Sequence, residues 1–416
     1  MIKLIAVDMD GTLLDSQKRL PEDFPRFLNQ LKRAGIRLVI ASGRQYYNLK
    51  KQLAPYGDQF IYICENGTMI FEKEKPIFLE PFQKEDWQDL VKQLRRIPGA
   101  CPILCCPENA YCENQEPNFY PNAKMYYERL ELVPDLLQIE DPVCKIAVYD
   151  LFGAETNSFR RMRECASTSY QITLSGETWI DIMGQSNKGT ALTALEKLEG
   201  ISYEETMAFG DYLNDCEMMD ACYYSCAMAN AHPILLQHAR FLVGSNDENG
   251  VLMAAREMLG LEDGIAVREV PYQSEEYRQN LQLRNEVLRL PLGLDLREED
   301  LSVEADFHHL SAIENGQVIG TMMLLPDSED PHAMRMKQVA VMENRRGRKI
   351  GTRMHKLAVQ VAKRWGYSAI TLHARKTAVD FYRKQGFQVT GSEFLEIGIP
   401  HLPMKLEFES HCAKMS

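Results

Sequence analysis

The sequence begins with an alternation of apolar and amphipathic segments that restricts the chain to a few folds. IKLIAV (residues 2–7) and IRLVIAS (36–42) are rich in branched apolar side chains, as expected of strands buried on both faces. Between them, PEDFPRFLNQLKRAG (21–35) has an acidic start, apolar residues at helical spacing and a terminal glycine. Strand, helix and strand in this order predict a βαβ unit, and therefore a parallel sheet in an α/β fold.

The same alternation returns late in the first two thirds of the chain. A helix at 187–200, a strand at 205–211 and a second helix at 214–224 are predicted from their apolar spacing and flanking residues. The intervening segment, 83–180, has a different rhythm of helical and strand-like stretches, which favours an inserted α/β domain. We therefore expect a parallel-sheet core formed by residues 1–82 and 181–262.

Length and composition narrow the class of protein. With 416 residues the chain exceeds one ordinary core, so two or three domains are expected. The net charge of −12 disfavours a nucleic-acid-binding protein, and no apolar run approaches the ~18–20 residues that span a bilayer. Because MIKLIAVDMD does not resemble a signal peptide, we expect a cytoplasmic protein with free thiols. Cys101, Cys105 and Cys106 lack a matching Cys/His pair, which favours buried thiols over a metal site.

Polar side chains follow the predicted strands at their carboxyl ends, where open α/β sheets bind ligands. Asp8 and Asp10 follow the first strand, Ser42 in ASGR follows the second, GDYLND (210–215) follows a later strand, and Lys188 opens the preceding helix. Converging carboxylates are tolerated around a divalent cation, and Mg²⁺ prefers oxygen ligands. A lysine and a hydroxyl suit phosphate oxygens. The arrangement predicts a metal-assisted phosphate site.

An acidic turn or part of a calcium-binding loop is the alternative for DMDGT taken alone. A calcium loop requires glycine at its sixth position, whereas Gly11 is at the fourth and leucines follow. The calcium-loop pattern therefore does not fit.

The order DMDGT, ASGR, Lys188 and GDYLND resembles that of haloacid dehalogenase-like hydrolases over residues 1 to about 262. The insertion between the second and third motifs resembles the Cof-type branch, which implies a Rossmann-like core with an α/β cap at 83–180. The resemblance implies that Asp8 is the nucleophile and forms an aspartyl-phosphate. It also implies that Asp10 is first a general acid and then a general base.

The same resemblance implies the ligands of the metal and of the phosphate. Mg²⁺ would be held by Asp8, the backbone carbonyl of Asp10, Asp211 and Asp215. The phosphoryl group would be bound by Thr12, Ser42 and Lys188, with Asn214 contacting the site.

The last 150 residues have a separate pattern. Strand-like MRMKQVAVM (334–342) leads into NRRGRKIGTRMHKLAVQVAKRWGY (344–367), a basic glycine-bearing loop that enters a helix. Free amides and the dipole at a helix N-terminus bind anions, so this junction predicts an anion site. A solvated basic turn is the alternative when the loop is considered alone.

The order QVAV, RGRKIG, LHAR and AVDFYRKQGF resembles the GNAT superfamily of acyl-CoA-dependent N-acetyltransferases, and EIGIPHLPMKL (396–406) resembles one branch of it. The resemblance implies a mixed α/β domain at 265–416 that uses acetyl-CoA. The backbone near Val339 and Val341 would pair with the pantetheine arm. The coenzyme A pyrophosphate would be bound by the loop residues Arg346, Gly347, Arg348, Lys349, Ile350 and Gly351.

Three features of this second motif set remain open. The resemblance implies that Tyr382 protonates the leaving thiolate, although it could simply pack within its helix. The family loop usually has glycine where this chain has Lys349, and a side chain there narrows the approach of the pyrophosphate. Glu343, His373 and Glu396 are all candidates for the general base.

The combined prediction is a fusion of two enzymes. A Mg²⁺-dependent phosphatase acting on a small phosphorylated metabolite is joined to an N-acetyltransferase with an amine acceptor. One alternative makes the C-terminal part an acyl-CoA-binding regulatory module without chemistry, and another makes the hydrolase part a phosphomutase.

Overall fold

The computed structural model describes residues 2–164 and 170–408, which divide into two compact units. The N-terminal unit comprises Ile2–Ala239 and Ser245–Val251, and the C-terminal unit comprises Arg240–Gly244 and residues 252–408. Within these described residues, every helix is too short or too polar to traverse a lipid bilayer.

The N-terminal unit contains two sheets. Its strands are β1 (Leu4–Asp8), β2 (Arg37–Ala41), β3 (Phe60–Cys64), β4 (Met69–Glu72), β5 (Lys75–Leu79), β6 (Ala100–Cys105), β7 (Ala110–Cys112), β8 (Leu130–Leu132), β9 (Lys145–Asp150), β10 (Gln171–Gly176), β11 (Trp179–Met183), β12 (Thr206–Gly210) and β13 (Tyr224–Ala227). Its helices are α1 (Phe24–Ala34), α2 (Tyr46–Leu53), α3 (Lys84–Leu94), α4 (Tyr120–Tyr126), α5 (Arg160–Glu164), α6 (Lys188–Glu199), α7 (Cys216–Asp220) and α8 (Leu235–His238).

The first sheet confirms the predicted parallel core. Its strands run in the order β13-β12-β1-β2-β3-β4-β5, and the five from β13 to β3 are mutually parallel. Every residue of β1 is buried, which explains its uninterrupted apolar sequence. The helix predicted over 214–224 ends earlier, at Asp220, because the adjoining apolar run from Tyr224 pairs with β12 as a strand instead.

The second sheet is formed by the segment predicted as an insertion, 83–180, except that its strand β11 continues to Met183. Its order is β10-β11-β9-β6-β7-β8, and every pairing except that of β7 with β8 is antiparallel. Helix α3 packs its apolar side, including Trp87 and Leu90, against buried side chains of this sheet. Cys101, Cys105 and Cys106 are buried free thiols, and burial raises the pKa of Cys101 to about 12. The prediction of small buried thiols is therefore confirmed.

The C-terminal unit is built on one mixed sheet. The unit contains the short strand β14 (Phe241–Leu242), which is not part of this sheet. The strands of the sheet are β15 (Ile265–Val270), β16 (His308–Glu314), β17 (Gln317–Pro326), β18 (Ala333–Val341), β19 (Ala369–Arg375), β20 (Gln388–Val389), β21 (Phe394–Glu396) and β22 (Ile399–Glu407). The helices are α9 (Gly250–Leu259), α10 (Glu275–Arg284), α11 (Ile350–Arg364) and α12 (Val379–Lys384).

The sheet order β15-β16-β17-β18-β19-β22-β20, with β21 on β22, places one parallel pair at its centre. Strands β18 and β19 pair only as far as Met336 with Leu372, so their carboxyl ends separate beyond that point. Helix α11 packs against the sheet through buried residues that include Met354 and Ala358. The gap between β18 and β19 opens next to the loop that precedes α11, which positions a site there.

Candidate active sites

Three charged side chains meet at the carboxyl ends of β1 and β12. The Lys188 ammonium lies 2.6 Å from Asp8 Oδ1 and 2.6 Å from Asp215 Oδ1, and all three side chains are buried. Burial raises the pKa of Asp8 to about 7, although the adjacent Lys188 opposes this increase. The sequence prediction that these residues converge is correct for this part of the site.

Asp211 and Thr12 extend the group. The Thr12 hydroxyl donates a hydrogen bond of 2.7 Å to Asp211 Oδ1. Burial raises the pKa of Asp211 to about 6, and the bond from Thr12 opposes the shift. Gly11 has a φ of +85°, and a Cβ there would lie 2.3 Å from Asp211 Oδ2. Glycine is therefore required at this position both by its backbone conformation and by the close approach of Asp211.

These carboxylates have the chemistry of a site for a hard divalent cation. Asp8, Asp211 and Asp215 each offer an oxygen, and these oxygens lie within 4.8 Å of one another. Burial raises the pKa of both Asp8 and Asp211, which means that Lys188 alone does not fully balance the negative charge of these carboxylates. An all-oxygen donor set with uncompensated negative charge fits Mg²⁺.

Asp10 does not share this cluster of carboxylates. Its carboxylate accepts hydrogen bonds from Arg44 Nε (2.9 Å) and from Lys18 Nζ (2.8 Å). Burial opposes ionisation, but these cations outweigh it and hold the pKa of Asp10 below its ordinary value. Sequence reasoning missed Arg44 and Lys18. Arg44 could have been found, because it stands two residues after Ser42 in the same motif.

Ser42 and Asn214 are joined through the short loop after β3. Asn66 N–H donates to the Ser42 carbonyl (3.1 Å), and the Asn214 amide donates to Asn66 Oδ1 (3.2 Å). The Ser42 hydroxyl oxygen accepts a 3.3 Å bond from the backbone N–H of Arg44. Glu65 and Asn66 both have positive φ values, 50° and 56°. Such backbone strain in non-glycine residues is typical of functional loops.

A buried lysine of the second sheet lies against this loop. Lys145 Nζ is 2.5 Å from Glu65 Oε2 and 3.2 Å from Asp181 Oδ1. Asp181 Oδ2 also accepts bonds from Asn66 (3.2 Å) and from Ser175 (2.7 Å). Sequence reasoning missed this cluster, and its only signal was a lysine in the otherwise apolar strand CKIAVYDL.

The basic loop before α11 has a defined charge arrangement. Arg345 and Arg348 both bind Glu314, at 2.7 and 2.6 Å, so this single carboxylate compensates one of their two positive charges. Lys349 is the N-cap of α11 and adopts the left-handed conformation, with φ 59° and ψ 15°. This conformation explains why glycine suits the position in the related family. Arg346 donates to the Val341 carbonyl (3.4 Å) and pairs with no carboxylate within 2–164 and 170–408.

The gap between β18 and β19 holds a cavity of about 270 Å³. Val339 and Tyr382 both line it, whereas Val341 and Glu343 are not among its lining residues. Gln338 has a φ of 54°, and Gln338 and Val339 have no partner in the register of β17. The backbone at Val339 is therefore released from the sheet ladder by a bulge.

The lining of the cavity brings together two of the three candidate bases. His373 Nδ1 lies 3.0 Å from Glu396 Oε2, and both residues line the cavity with Tyr382. Because a carboxylate can only accept, the proton of neutral His373 is on Nδ1 and its Nε2 has a free lone pair. Burial raises the pKa of Tyr382 to about 12, which keeps its hydroxyl protonated.

Comparison with known proteins identifies both parts of the chain. The haloacid dehalogenase-like hydrolase model matches residues 5–254, and the acetyltransferase (GNAT) domain model matches residues 295–408. The 5-amino-6-(5-phospho-D-ribitylamino)uracil phosphatase YbjI of Escherichia coli (strain K12) is 34% identical over 254 residues, which cover 60% of this chain and 94% of that protein.

Two further relatives match the same region. A phosphatase of the same description from Bacillus subtilis (strain 168), YcsE, is 26% identical over 256 residues, covering 61% of this chain and 95% of that protein. The solved structure of SMU.1108c from Streptococcus mutans UA159 is 31% identical with a TM-score of 0.56, covering 62% of this chain and 100% of its own. The chain thus belongs to the haloacid dehalogenase-like hydrolase family, as a phosphatase fused to a GNAT acetyltransferase domain, and both sequence resemblances are confirmed.

Proposed function

We propose that the N-terminal part is a Mg²⁺-dependent phosphatase that cleaves a small phosphate monoester through an aspartyl-phosphate on Asp8. The observation that carries this proposal is the cluster at the end of β1, where Asp8 contacts the buried Lys188 and lies close to the carboxylates of Asp211 and Asp215. We also propose that residues 1–82 and 181–262 form its core, with 83–180 as the cap and 265–416 as the acetyltransferase domain.

The residues present fit the reaction. Asp8 attacks phosphorus while the bond to the leaving oxygen breaks, and Asp10 gives that oxygen a proton. Water then attacks the phosphorus of the aspartyl-phosphate and gives a proton to Asp10. The bond between Asp8 and phosphorus breaks, which releases phosphate and restores the Asp8 carboxylate. Arg44 and Lys18 stabilise the carboxylate that Asp10 becomes once it has given up its proton, which is the form that accepts a proton in the water step.

Positive charge near the phosphoryl oxygens assists both steps. Lys188, with the Thr12 and Ser42 hydroxyls, would bind the phosphoryl oxygens, and Asn214 would support the site through Asn66. Asp8, Asp211 and Asp215, with the backbone carbonyl of Asp10, would hold Mg²⁺, which supplies positive charge to the transferring group.

The names of two relatives suggest a first substrate. Both YbjI of E. coli and YcsE of B. subtilis are named for 5-amino-6-(5-phospho-D-ribitylamino)uracil. We therefore propose a phosphorylated sugar-alcohol derivative of this kind as the substrate class.

The test is phosphate release from a panel of phosphate monoesters that includes this compound, with Mg²⁺ or with EDTA. We expect release that requires Mg²⁺ and is lost in Asp8→Asn. Asp58→Asn, which alters an exposed loop carboxylate, is the matched control and should retain activity. Release that persists in Asp8→Asn would refute the assignment, and a phosphorylated isomer in place of free phosphate would indicate a mutase.

We propose that the C-terminal domain transfers the acetyl group of acetyl-CoA to an amine. The observation that carries this proposal is the cavity at the gap between β18 and β19, where the backbone of Val339 is released beside Tyr382. The first amides of α11 and the loop from Arg346 to Gly351 would bind the pyrophosphate, and Tyr382 would protonate the departing sulfur.

Calorimetric titration of the full chain with acetyl-CoA tests binding, and steady-state kinetics of Tyr382→Phe test the proton donor. We expect this variant to bind acetyl-CoA normally while its kcat falls about 10²-fold. Normal binding with no acetylation of any amine would instead support a regulatory acyl-CoA module.

A further inference from the structure

The cavity between β18 and β19 has an excess of positive charge. Four cationic side chains line it: Arg289, Arg335, Lys337 and Arg375. The only carboxylate among the lining residues is that of Glu396, which His373 already engages at 3.0 Å. This balance contrasts with the net charge of the whole chain, which is −12.

Two of the four cations have protein partners. Arg335 Nε lies 3.2 Å from Asp327 Oδ2, and Arg289 Nε lies 3.2 Å from Glu299 Oε1. Lys337 and Arg375 form no ion pair or side-chain hydrogen bond with any residue in 2–164 or 170–408. Two cations at a cavity wall are thus available for a ligand.

The strand register places these cations beside the proposed chemistry. Arg375 pairs with His401 across the β19–β22 ladder, and His373 is two residues earlier on the same face of β19. Lys337 follows the last residue of β18 that pairs with β19, where the strands separate. The free cations and the His373–Glu396 pair therefore line one cavity with Tyr382.

We infer that this cavity is the acceptor site, and that it takes a primary amine which also carries an anionic group, a carboxylate or a phosphate monoester. Arg375 binds the anionic group through its planar guanidinium, and Lys337 adds a second positive charge. His373, oriented by Glu396, accepts the proton of the attacking amine. The inference rests on the acetyltransferase activity proposed above and specifies its substrate class.

The reaction balances with these groups alone. The ammonium form of the acceptor first loses one proton to water. Its nitrogen then forms a C–N bond to the thioester carbonyl carbon, and the C–S bond breaks with its electron pair on sulfur. The second nitrogen proton passes to His373 and Tyr382 gives a proton to sulfur, so the products are the N-acetyl compound and free coenzyme A. Return of the His373 proton to Tyr382 through solvent restores both groups.

The experiment compares matched acceptors with the full chain. Phenylalanine is set against phenylalaninamide for the carboxylate, and O-phosphoethanolamine against ethanolamine for the phosphate. Thioester loss is followed by absorbance and the acetylated product by mass spectrometry. We expect the anionic member of at least one pair to have a kcat/KM about tenfold higher or more. The pair that shows the preference identifies which anion the site takes.

Arg375→Gln should abolish most of that preference while the KM for acetyl-CoA stays within about twofold. Lys376→Gln is the matched control, because Lys376 is the next residue, is exposed, pairs with Glu393 and does not line the cavity. An equal or better rate with the neutral members would overturn the inference. So would an Arg375→Gln variant that keeps the preference, or one that loses acetyl-CoA affinity instead.

Calorimetry with acetyl-CoA separates the two proposals. Absence of acetyl-CoA binding would refute the acetyltransferase proposal and this inference together. Binding followed by acetylation of neutral amines only, or of no amine in the set, would refute the acceptor class and leave acetyl-CoA binding established.

Discussion

Replacement of Lys145 by methionine should destabilise the N-terminal unit strongly. Lys145 begins a strand of the second sheet, and its ammonium is enclosed between Glu65, on the loop after β3, and Asp181. Burial opposes its charge, but the two carboxylates raise the pKa of Lys145 above its ordinary value. The variant retains a side chain of similar length and leaves both carboxylates buried without a cation.

The expected magnitude follows from this burial. Removal of one partner of a buried ion pair costs about 3–5 kcal/mol, because the remaining charge is uncompensated. Lys145 and Glu65 are each 2% exposed, which places the pair in this class rather than among surface pairs. Burial already raises the pKa of Glu65, although Lys145 opposes the shift, so loss of the lysine favours protonation of that carboxyl group.

Differential scanning calorimetry of the full chain is the assay, with the transition of the phosphatase unit identified by added Mg²⁺ and phosphate. Lys51→Met is the matched control, because Lys51 forms a 2.8 Å ion pair with Glu128 at the surface. The side chains of Lys51 and Glu128 are 69% and 40% exposed, so this pair should contribute at most about 1 kcal/mol to the free energy of unfolding. The triple variant that adds Glu65→Gln and Asp181→Asn should recover part of the loss. Equal effects of Lys145→Met and Lys51→Met would refute the reasoning.

Three further variants test other parts of the structure. Lys188→Met should reduce phosphate release at least about 10²-fold, since it removes the buried cation that helps keep Asp8, the proposed nucleophile, ionised. Gly11→Ala should impair activity more than Gly57→Ala: both positions have positive φ, but only at Gly11 would a Cβ meet Asp211, at 2.3 Å. Burial lowers the pKa of His355 to about 4. Between pH 7 and pH 5, the free energy of unfolding of wild type, measured by chemical denaturation, should therefore fall by about 2 kcal/mol relative to that of His355→Leu.

A histidine whose folded pKa is depressed stays neutral in the folded state, so its proton uptake on unfolding reduces stability as pH falls below about 6.5. A pH-independent difference between wild type and His355→Leu would contradict the assignment. Lys197→Met, at an exposed position of the same helix as Lys188, should leave phosphate release unchanged. Equal losses in both glycine variants would show that backbone conformation, and not contact with Asp211, controls the effect.

The meeting of Asp8, Lys188 and Asp215 was predictable because a parallel sheet brings the carboxyl ends of its strands to one edge. Asp8, Lys188 and Asp215 were placed together on this ground, and their atoms lie within 2.6 Å contacts. Arg44 was missed, although it is in a motif, because the Asp10 side chain was considered only for proton transfer and not for the cations that would pair with it. Lys145 was missed because its partners, Glu65 and Asp181, are 80 and 36 residues away in sequence. The spacing of apolar residues indicates helices and strands, but it does not show which distant side chains will meet.

Lys349 shows how a departure from a family pattern becomes interpretable once backbone conformation is known. From sequence, a lysine in place of glycine suggested a narrowed approach for the pyrophosphate. The structure places Lys349 in the left-handed region, where a side chain costs about 1 kcal/mol or more but lies exposed at the helix N-terminus. Glu314 pairs with both Arg345 and Arg348 and compensates one of their two charges, whereas Lys349 and Arg346 form no ion pair with any residue that the structure describes. The substitution thus adds positive charge beside the proposed pyrophosphate site and keeps the backbone turn that presents its amides.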